Sequence, residues 1–188
     1  SATAYWNSAE RVSSAIGRPD NMNEYTIRPF QPGDLPALTA LYNHYILHTT
    51  ATFNDLPLTE QEMLAKVETA HRDNCPFLVL ETADGAAAGY ACADRFRPLD
   101  ANRLAELSIY LAPEFTGRGR GSPLLEQLVG ELKQRNFYAG LMAIITADNA
   151  PSLRFHRSHG FEDAGLWKNA AFKFGKWCDV QALELKLK

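Results

Sequence analysis

The chain has 188 residues, 46% of them hydrophobic and 22% charged; that length fits one domain or one domain plus a tail, and that composition can bury an ordinary core. A formal charge of −3 and a pI near 5.9 exclude general affinity for nucleic acid or anionic membrane, which needs a net basic surface, but leave room for a local basic spot. No run approaches the ~18 apolar residues of a membrane span, and the first residues lack the apolar core of a signal peptide, so a soluble, cytoplasmic protein is expected.

Residues 1–23 are rich in Ser, Ala and Asn and have no strong period. They are read as an extension, with Tyr5 and Trp6 available to pin it, ahead of a domain spanning 24–188. Tyr25–Phe30 reads as a strand. Pro32-Gly-Asp34 opens a helix carrying Leu35, Leu38, Leu41, Tyr42 and Tyr45 at helical spacing. Thr59-Glu-Gln-Glu62 has the form of a capping box and opens a second helix. Phe77–Leu80 and Ala86–Ala93 are strands joined by the turn signal Ala83-Asp-Gly85. Leu104–Leu111 is a strand that Pro113 ends. A glycine-rich loop follows, then a helix from Pro123 to Arg135 with Leu124, Leu125, Leu128, Val129 and Leu132 on one face. Ala139–Ile145 is an apolar strand. Asn149-Ala-Pro-Ser152 opens a helix ending near Gly160. Phe161–Trp167 and Cys178–Leu187 are the last strands, the latter alternating imperfectly. This mixed order predicts a three-layer α/β or α+β domain around one twisted sheet. Cys75, Cys92 and Cys178 are too far apart in sequence for a metal pair and are read as reduced, buried thiols.

The loop Thr116-Gly-Arg-Gly-Arg-Gly-Ser122 carries the first chemical signal. Three alternate glycines allow unusual backbone angles, so successive amides can form an anion nest at the positive end of the following helix. Ser122 is positioned to cap that helix, and Pro123 fits its first turn. A P-loop needs a GK[ST] that is absent, and the dinucleotide fingerprint G-x-G-x-x-G has a different spacing. An RNA-binding RGG segment is disordered and repeated, unlike this loop in its ordered setting. Spacing alone leaves two readings, an anion site and a loop without ligand.

The segment SIYLAPEFTGRGRGSPLLEQL resembles the acetyl-CoA-binding motif of the GNAT superfamily of N-acetyltransferases, Gln/Arg-x-x-Gly-x-Gly/Ala, with Thr116 departing from its first position. TTATF (49–53), the FRP of 96–98, AELSIYL (105–111), DNAPSLRFHRSHGF (148–161) and FKFGKWCDV (172–180) are together similar to the phosphinothricin N-acetyltransferase branch, in order, over about residues 24–188. The resemblance implies a mixed central sheet splayed at the CoA cleft, helices on both faces, and a homodimer. It implies acetyl-CoA as co-substrate, no metal, and a small amino-acid-like amine as acceptor, of phosphinothricin or methionine sulfoximine type.

Direct acetyl transfer needs a base for the ammonium and a stabilised oxyanion. The resemblance gives Glu106 as that base and His156 as acid or substrate contact, with a packed helix histidine as the plain alternative. It gives Asn149 and Ser152 to the pantetheine wall, Asn149 doubling as a helix cap. Backbone groups of Leu107, Ser108, Ile109 and Tyr110 are expected to face the coenzyme, and Gly117, Arg118, Gly119, Arg120, Gly121 and Ser122 to hold its pyrophosphate. Arg118 and Arg120 are expected to carry much of that grip. Phe53 and Arg97 resemble substrate-side residues, Arg97 suiting a carboxylate or phosphinate. The branch's second arginine falls on Leu99 here, which puts phosphinothricin itself in question. Lys173 is given no catalytic role. The rival readings are another acceptor (a protein N-terminus, a polyamine or an aminoglycoside) and a CoA-binding sensor without turnover.

Overall fold

The computed structural model describes residues 25–97 and 101–188. The proposed extension of residues 1–23, and Pro98 and Leu99, lie outside them. The described chain forms seven strands and four helices in the expected order: β1 (Tyr25–Pro29), α1 (Leu35–His48), α2 (Glu60–Arg72), β2 (Phe77–Thr82), β3 (Ala87–Arg95), β4 (Leu104–Leu111), α3 (Gly121–Arg135), β5 (Gly140–Thr146), α4 (Ala150–Ser158), β6 (Glu162–Lys173) and β7 (Lys176–Lys186). Local signals explain most of the boundaries. Thr59 Oγ1 accepts from the Glu62 amide at 3.2 Å while Glu62 Oε2 accepts from the Thr59 amide at 2.7 Å, so the capping box starts α2. A 3-10 turn at Pro32–Asp34 leads into α1. There the half-buried Arg28 pairs with the buried Asp34 at 2.8 Å and with Glu81 at 2.5 Å, tying β1 to β2 and to the start of α1.

One sheet runs β1-β2-β3-β4-β5-β7-β6. Every neighbouring pair is antiparallel except β4–β5, which is parallel. The parallel ladder is short: Leu104 to Glu106 against Gly140 to Met142. Beyond Glu106, β4 stays with β3 as far as Leu111 while β5 stays with β7 as far as Thr146. The sheet therefore forks between β4 and β5. The period of two along β4 puts Glu106, Ser108 and Tyr110 on one face and Leu107, Ile109 and Leu111 on the other. Tyr110 meets Tyr42 and Tyr45 of α1 on its face. Leu111 lies on the opposite face, near Gly121 at the start of α3. Helices cover both faces, and the buried stripe of α3 (Leu124, Leu125, Leu128, Leu132) matches the pattern in the sequence.

Of the boundaries that differ from the sequence reading, two have a clear physical reason. α3 begins at Gly121 with Arg120 at its N-cap and no side-chain cap, so Ser122 sits inside the first turn instead of capping it. β6 runs on to Lys173, six residues past Trp167. It is the sheet's edge, almost all its residues are exposed, and its register shifts between Trp167 and Ala171, where Asn169 takes φ 51°. A strand buried on neither face has no alternation to read.

Close backbone approach holds β3 against the forked strand. A Cβ at Gly89 would lie 2.9 Å from the Tyr110 carbonyl oxygen and 3.3 Å from Leu111 Cα. Gly89→Ala is therefore expected to lower unfolding stability by about 1–3 kcal/mol, read by urea denaturation. Gly130→Ala, where a Cβ meets nothing within 4 Å, should be neutral or stabilising by the helix preference of alanine.

Candidate active site

The fork is the natural place for chemistry, because β4 has no strand partner on its β5 side beyond Glu106. Glu106 occupies the last paired position, half-buried, on the face that α1 and α2 cover. Directly across the β3–β4 ladder stands Asp94. Side chains at directly opposed positions project together, so two carboxylates meet at the fork. Burial, reinforced by the charge of Asp94, pushes the Glu106 pKa above the ordinary carboxylate value, while Lys66 of α2 pulls it back. Asp94 is raised as well, by burial first; Lys66 and Arg72 oppose that, and Asp73 adds to it.

The glycine loop follows β4 through a 3-10 turn, Pro113–Phe115. Gly117 and Gly119 take φ of 69° and 74°, on either side of Arg118, where φ is not positive. This alternation of hand turns successive amides toward one point, the geometry of an anion nest. The first turn of α3 adds its own unpaired amides. Thr116 turns its hydroxyl back to Pro113 O at 2.7 Å, so it caps its own turn. The two arginines are placed differently. Arg118 is exposed, whereas Arg120 is only 6% exposed. The Arg120 guanidinium lies 5.2 Å from the Tyr25 ring centroid and 5.0 Å from that of Phe115, and its Nη1 is buried without a hydrogen-bond partner. A buried, fixed cation with a free donor beside an amide nest fits a phosphate-bearing ligand.

Gly121 couples this loop to α4. A Cβ there would come within 3.2 Å of the Phe155 ring, so glycine lets α4 pack close. Asn149 caps α4 by accepting the Ser152 amide at 3.2 Å. His156 is buried, one turn beyond Ser152, with Phe161 edge-on at 5.1 Å. Its Nδ1 lies 2.8 Å from the Ser152 carbonyl, which can only accept, so Nδ1 carries the proton and Nε2 presents a lone pair. Burial lowers the His156 pKa, partly offset by that bond, so the ring is neutral at pH 7.

The segment between α1 and α2 crosses the mouth of the fork and is pinned from both sides. Tyr110 of β4 donates to Ala51 O at 3.3 Å. Thr146 of β5 donates to Thr50 O at 3.2 Å, and Lys173 of β6 donates to Thr52 O at 2.7 Å. Under this strap lies a pocket of about 250 Å³ whose walls include Phe53, Asp55, Thr146, Phe172 and Lys173. Phe53, which the resemblance puts on the substrate side, lines this pocket. Arg97 is not one of the walls. It is exposed, at φ 75°, in the β3–β4 connection, with its guanidinium 5.9 Å from the Phe96 ring centroid. Asp94 escaped the sequence reading, and Lys173, which that reading gave no catalytic role, gains its place at the pocket through the fold. Asp94 is legible only once β3 and β4 are in register. Lys173 meets Thr52 across 121 positions of chain. No group of three or more His, Cys, Asp or Glu among the described residues is arranged to hold a metal ion.

A family model described as the acetyltransferase (GNAT) family matches residues 38–161. Phosphinothricin N-acetyltransferase of Alcaligenes faecalis is 36% identical over 163 residues, 86% of this chain and 82% of its own length. The L-methionine sulfoximine/L-methionine sulfone acetyltransferase of Pseudomonas aeruginosa is 33% identical over 163 residues, 86% of this chain and 94% of its own. The crystal structure of a GNAT superfamily phosphinothricin acetyltransferase from Sinorhizobium meliloti in complex with acetyl-CoA superposes with a TM-score of 0.82 at 36% identity, covering 86% of this chain and 88% of that one.

The carboxylate pair makes a direct prediction. In Asp94→Asn, the Glu106 carboxyl should titrate at lower pH than in the parent, followed by its side-chain ¹³C shift. Because the folded state holds the Glu106 proton more tightly than the unfolded chain, the group's contribution to stability is present at low pH and is lost as pH rises through the folded pKa. Glu106→Gln should therefore raise the melting temperature above that pKa and change little at acid pH.

Proposed function

The chain belongs to the GNAT acetyltransferase family, and on that premise we propose how it works as an acetyl-CoA-dependent N-acetyltransferase on the primary amine of a small amino-acid-like acceptor. The observation that carries the reading is Glu106 at the end of the parallel ladder, half-buried and opposite a second carboxylate. A carboxylate of raised pKa suits the removal of a proton from an ammonium ion near neutral pH. Glu106 takes that proton, the freed amine attacks the thioester carbonyl and forms the C–N bond, and the C–S bond breaks as the surplus proton on nitrogen passes to the departing sulfur, leaving amide and free thiol. Transfer is direct. Burial pushes the Cys75 and Cys92 thiols up to about 12, which leaves them poor nucleophiles.

The coenzyme is assigned to the fork and the loop. The open edge of β4 at Leu107, Ser108, Ile109 and Tyr110 offers backbone groups to the pantetheine arm. The amides of Gly117, Gly119, Gly121 and Ser122 hold the pyrophosphate, with Arg118 reaching from solvent and Arg120 acting as a fixed charge. Asn149 and Ser152 form the facing wall from α4. His156, neutral and with Nε2 free to accept, serves as a contact rather than as the acid. Phe53, on the pocket wall, is assigned to the acceptor side; Arg97, off those walls, is assigned there from the resemblance alone. The names of the relatives support an acceptor of the phosphinothricin or methionine sulfoximine kind.

We also assign the protein to a homodimer. The β6–β7 hairpin, whose β6 is the edge of the sheet, leaves Phe172, Phe174 and Trp177 exposed by 54%, 58% and 65%. Exposed aromatics on an edge strand favour burial against another surface, and a second copy is the occupant that the resemblance implies. Three free, buried cysteines fit a reducing, cytoplasmic setting.

Glu106→Gln should lower kcat for acetyl transfer by about 10²–10⁴-fold, the usual worth of a general base, with acetyl-CoA affinity unchanged by calorimetry. Full activity in that variant near neutral pH would remove Glu106 as the base, and CoA binding without turnover of any amine in the parent would favour the sensor. For the dimer, Trp177→Lys combined with Phe174→Lys should halve the mass seen by light scattering after gel filtration; a monomeric parent would contradict the assignment.

A further inference from the structure

Among the described residues, three charged side chains are buried: Asp34, Arg120 and Lys173. Asp34 has Arg28 as its counter-ion, and Arg120 lies between two rings beside the anion nest. Lys173 has neither arrangement. Its residue is 7% exposed, and its Nζ gives one hydrogen bond, to the Thr52 carbonyl. An ammonium has three donors, and a buried cation is costly unless paired. The nearest support is the Phe174 ring, with its centroid 5.3 Å away, and the field of Asp55. Asp55 is exposed and shares a pocket with Lys173 but forms no ion pair with it.

The pocket explains what such a cation is for. It has about 250 Å³ of space, room for a small metabolite and not for a peptide chain. Thr146, on its wall, ends β5 and so forms the far lip of the fork. Phe53 and Phe172 supply apolar surface, and Lys173 supplies positive charge. A ligand that uses this set carries an anionic oxygen group on a short chain whose other end faces the fork. Arg97 lies off the pocket walls, which leaves Lys173 as the cation among the lining residues.

We propose that Lys173 is the acceptor-specificity residue, binding the carboxylate of an amino-acid acceptor in the pocket beneath the 49–55 strap. The proposal rests on the acyl-transfer reading above and names the substrate subsite within it. The Thr52 carbonyl then orients the ammonium from one side while the carboxylate takes its remaining donors. Asp55 at the pocket mouth opposes anions and tunes how tightly one is held.

The test compares two acceptors, methionine sulfoximine and the same amine lacking its carboxylate, at saturating acetyl-CoA. The parent should prefer the acid. Lys173→Gln, which keeps a donor for Thr52 O but no charge, should raise KM for the acid about tenfold to hundredfold, the worth of a charge-assisted hydrogen bond. It should leave KM for the decarboxylated amine and for acetyl-CoA within about twofold. Lys173→Arg should retain the preference, and Asp55→Asn should lower KM for the acid; these two hold the test if the glutamine variant fails to fold. A parent without preference for the acid would sink the acceptor reading itself. A preference that survives in Lys173→Gln, or a loss equal for both acceptors, would overturn the role of Lys173 alone, the second outcome marking it as a pin for the strap.

Discussion

Three residue pairs join β4 to β5, and the shape of the site depends on that ladder stopping at Glu106 and Met142. A sheet that stayed paired would spend the backbone donors and acceptors of Leu107–Leu111 on β5. Because it forks, that edge is open to a ligand, and Glu106 sits at the apex where the cleft begins. The antiparallel ladder to β3 is uninterrupted there and fixes Asp94 opposite Glu106. One topological event therefore sets both the coenzyme edge and the environment of the carboxylate. The rest of the site is built around the gap. Gly121 admits Phe155 and brings α4 close on one side, and the 49–55 strap closes the mouth through Tyr110, Thr146 and Lys173.

The charges around the fork are arranged for function more than for stability. Asp94 and Glu106 are like charges at directly opposed positions, which destabilises a strand pair, and Lys66 only partly compensates them. Arg120 keeps a buried nitrogen without a partner, and Lys173 keeps a buried ammonium without a counter-ion. Each is a preorganised group that a phosphate, an ammonium or a carboxylate would satisfy. A protein that places unsatisfied charges in this way gives up stability to bind a ligand of the opposite sign.

The order of elements was legible because most strands and helices here are buried on at least one face, so period 2 or 3.6 survives in the sequence. β4 was bounded correctly by its apolar run and Pro113, and α2 by its capping box. β6 was cut short because an exposed edge strand imposes no pattern. The glycine loop left two readings open in the sequence, an anion site and a loop without ligand; the φ values of Gly117 and Gly119 supply the alternation of hand that a nest needs. The unlike placement of its arginines was not legible, because the burial of Arg120 depends on Tyr25, which lies ninety-five positions away. Asp94 escaped because it acts across a ladder, and Lys173, although it lies in the FKFGKWCDV segment, shows its burial and its bond to Thr52 only through a tertiary contact.

The central claim is that the coenzyme occupies the β4–β5 fork with its pyrophosphate on the glycine loop. Amide hydrogen exchange with and without CoA tests it most directly. The account predicts new protection concentrated at Leu107–Tyr110 and at Gly117–Ser122, with the β1–β2 pair unchanged. Protection absent from both segments at saturating CoA, or confined to a surface away from the fork, would contradict it.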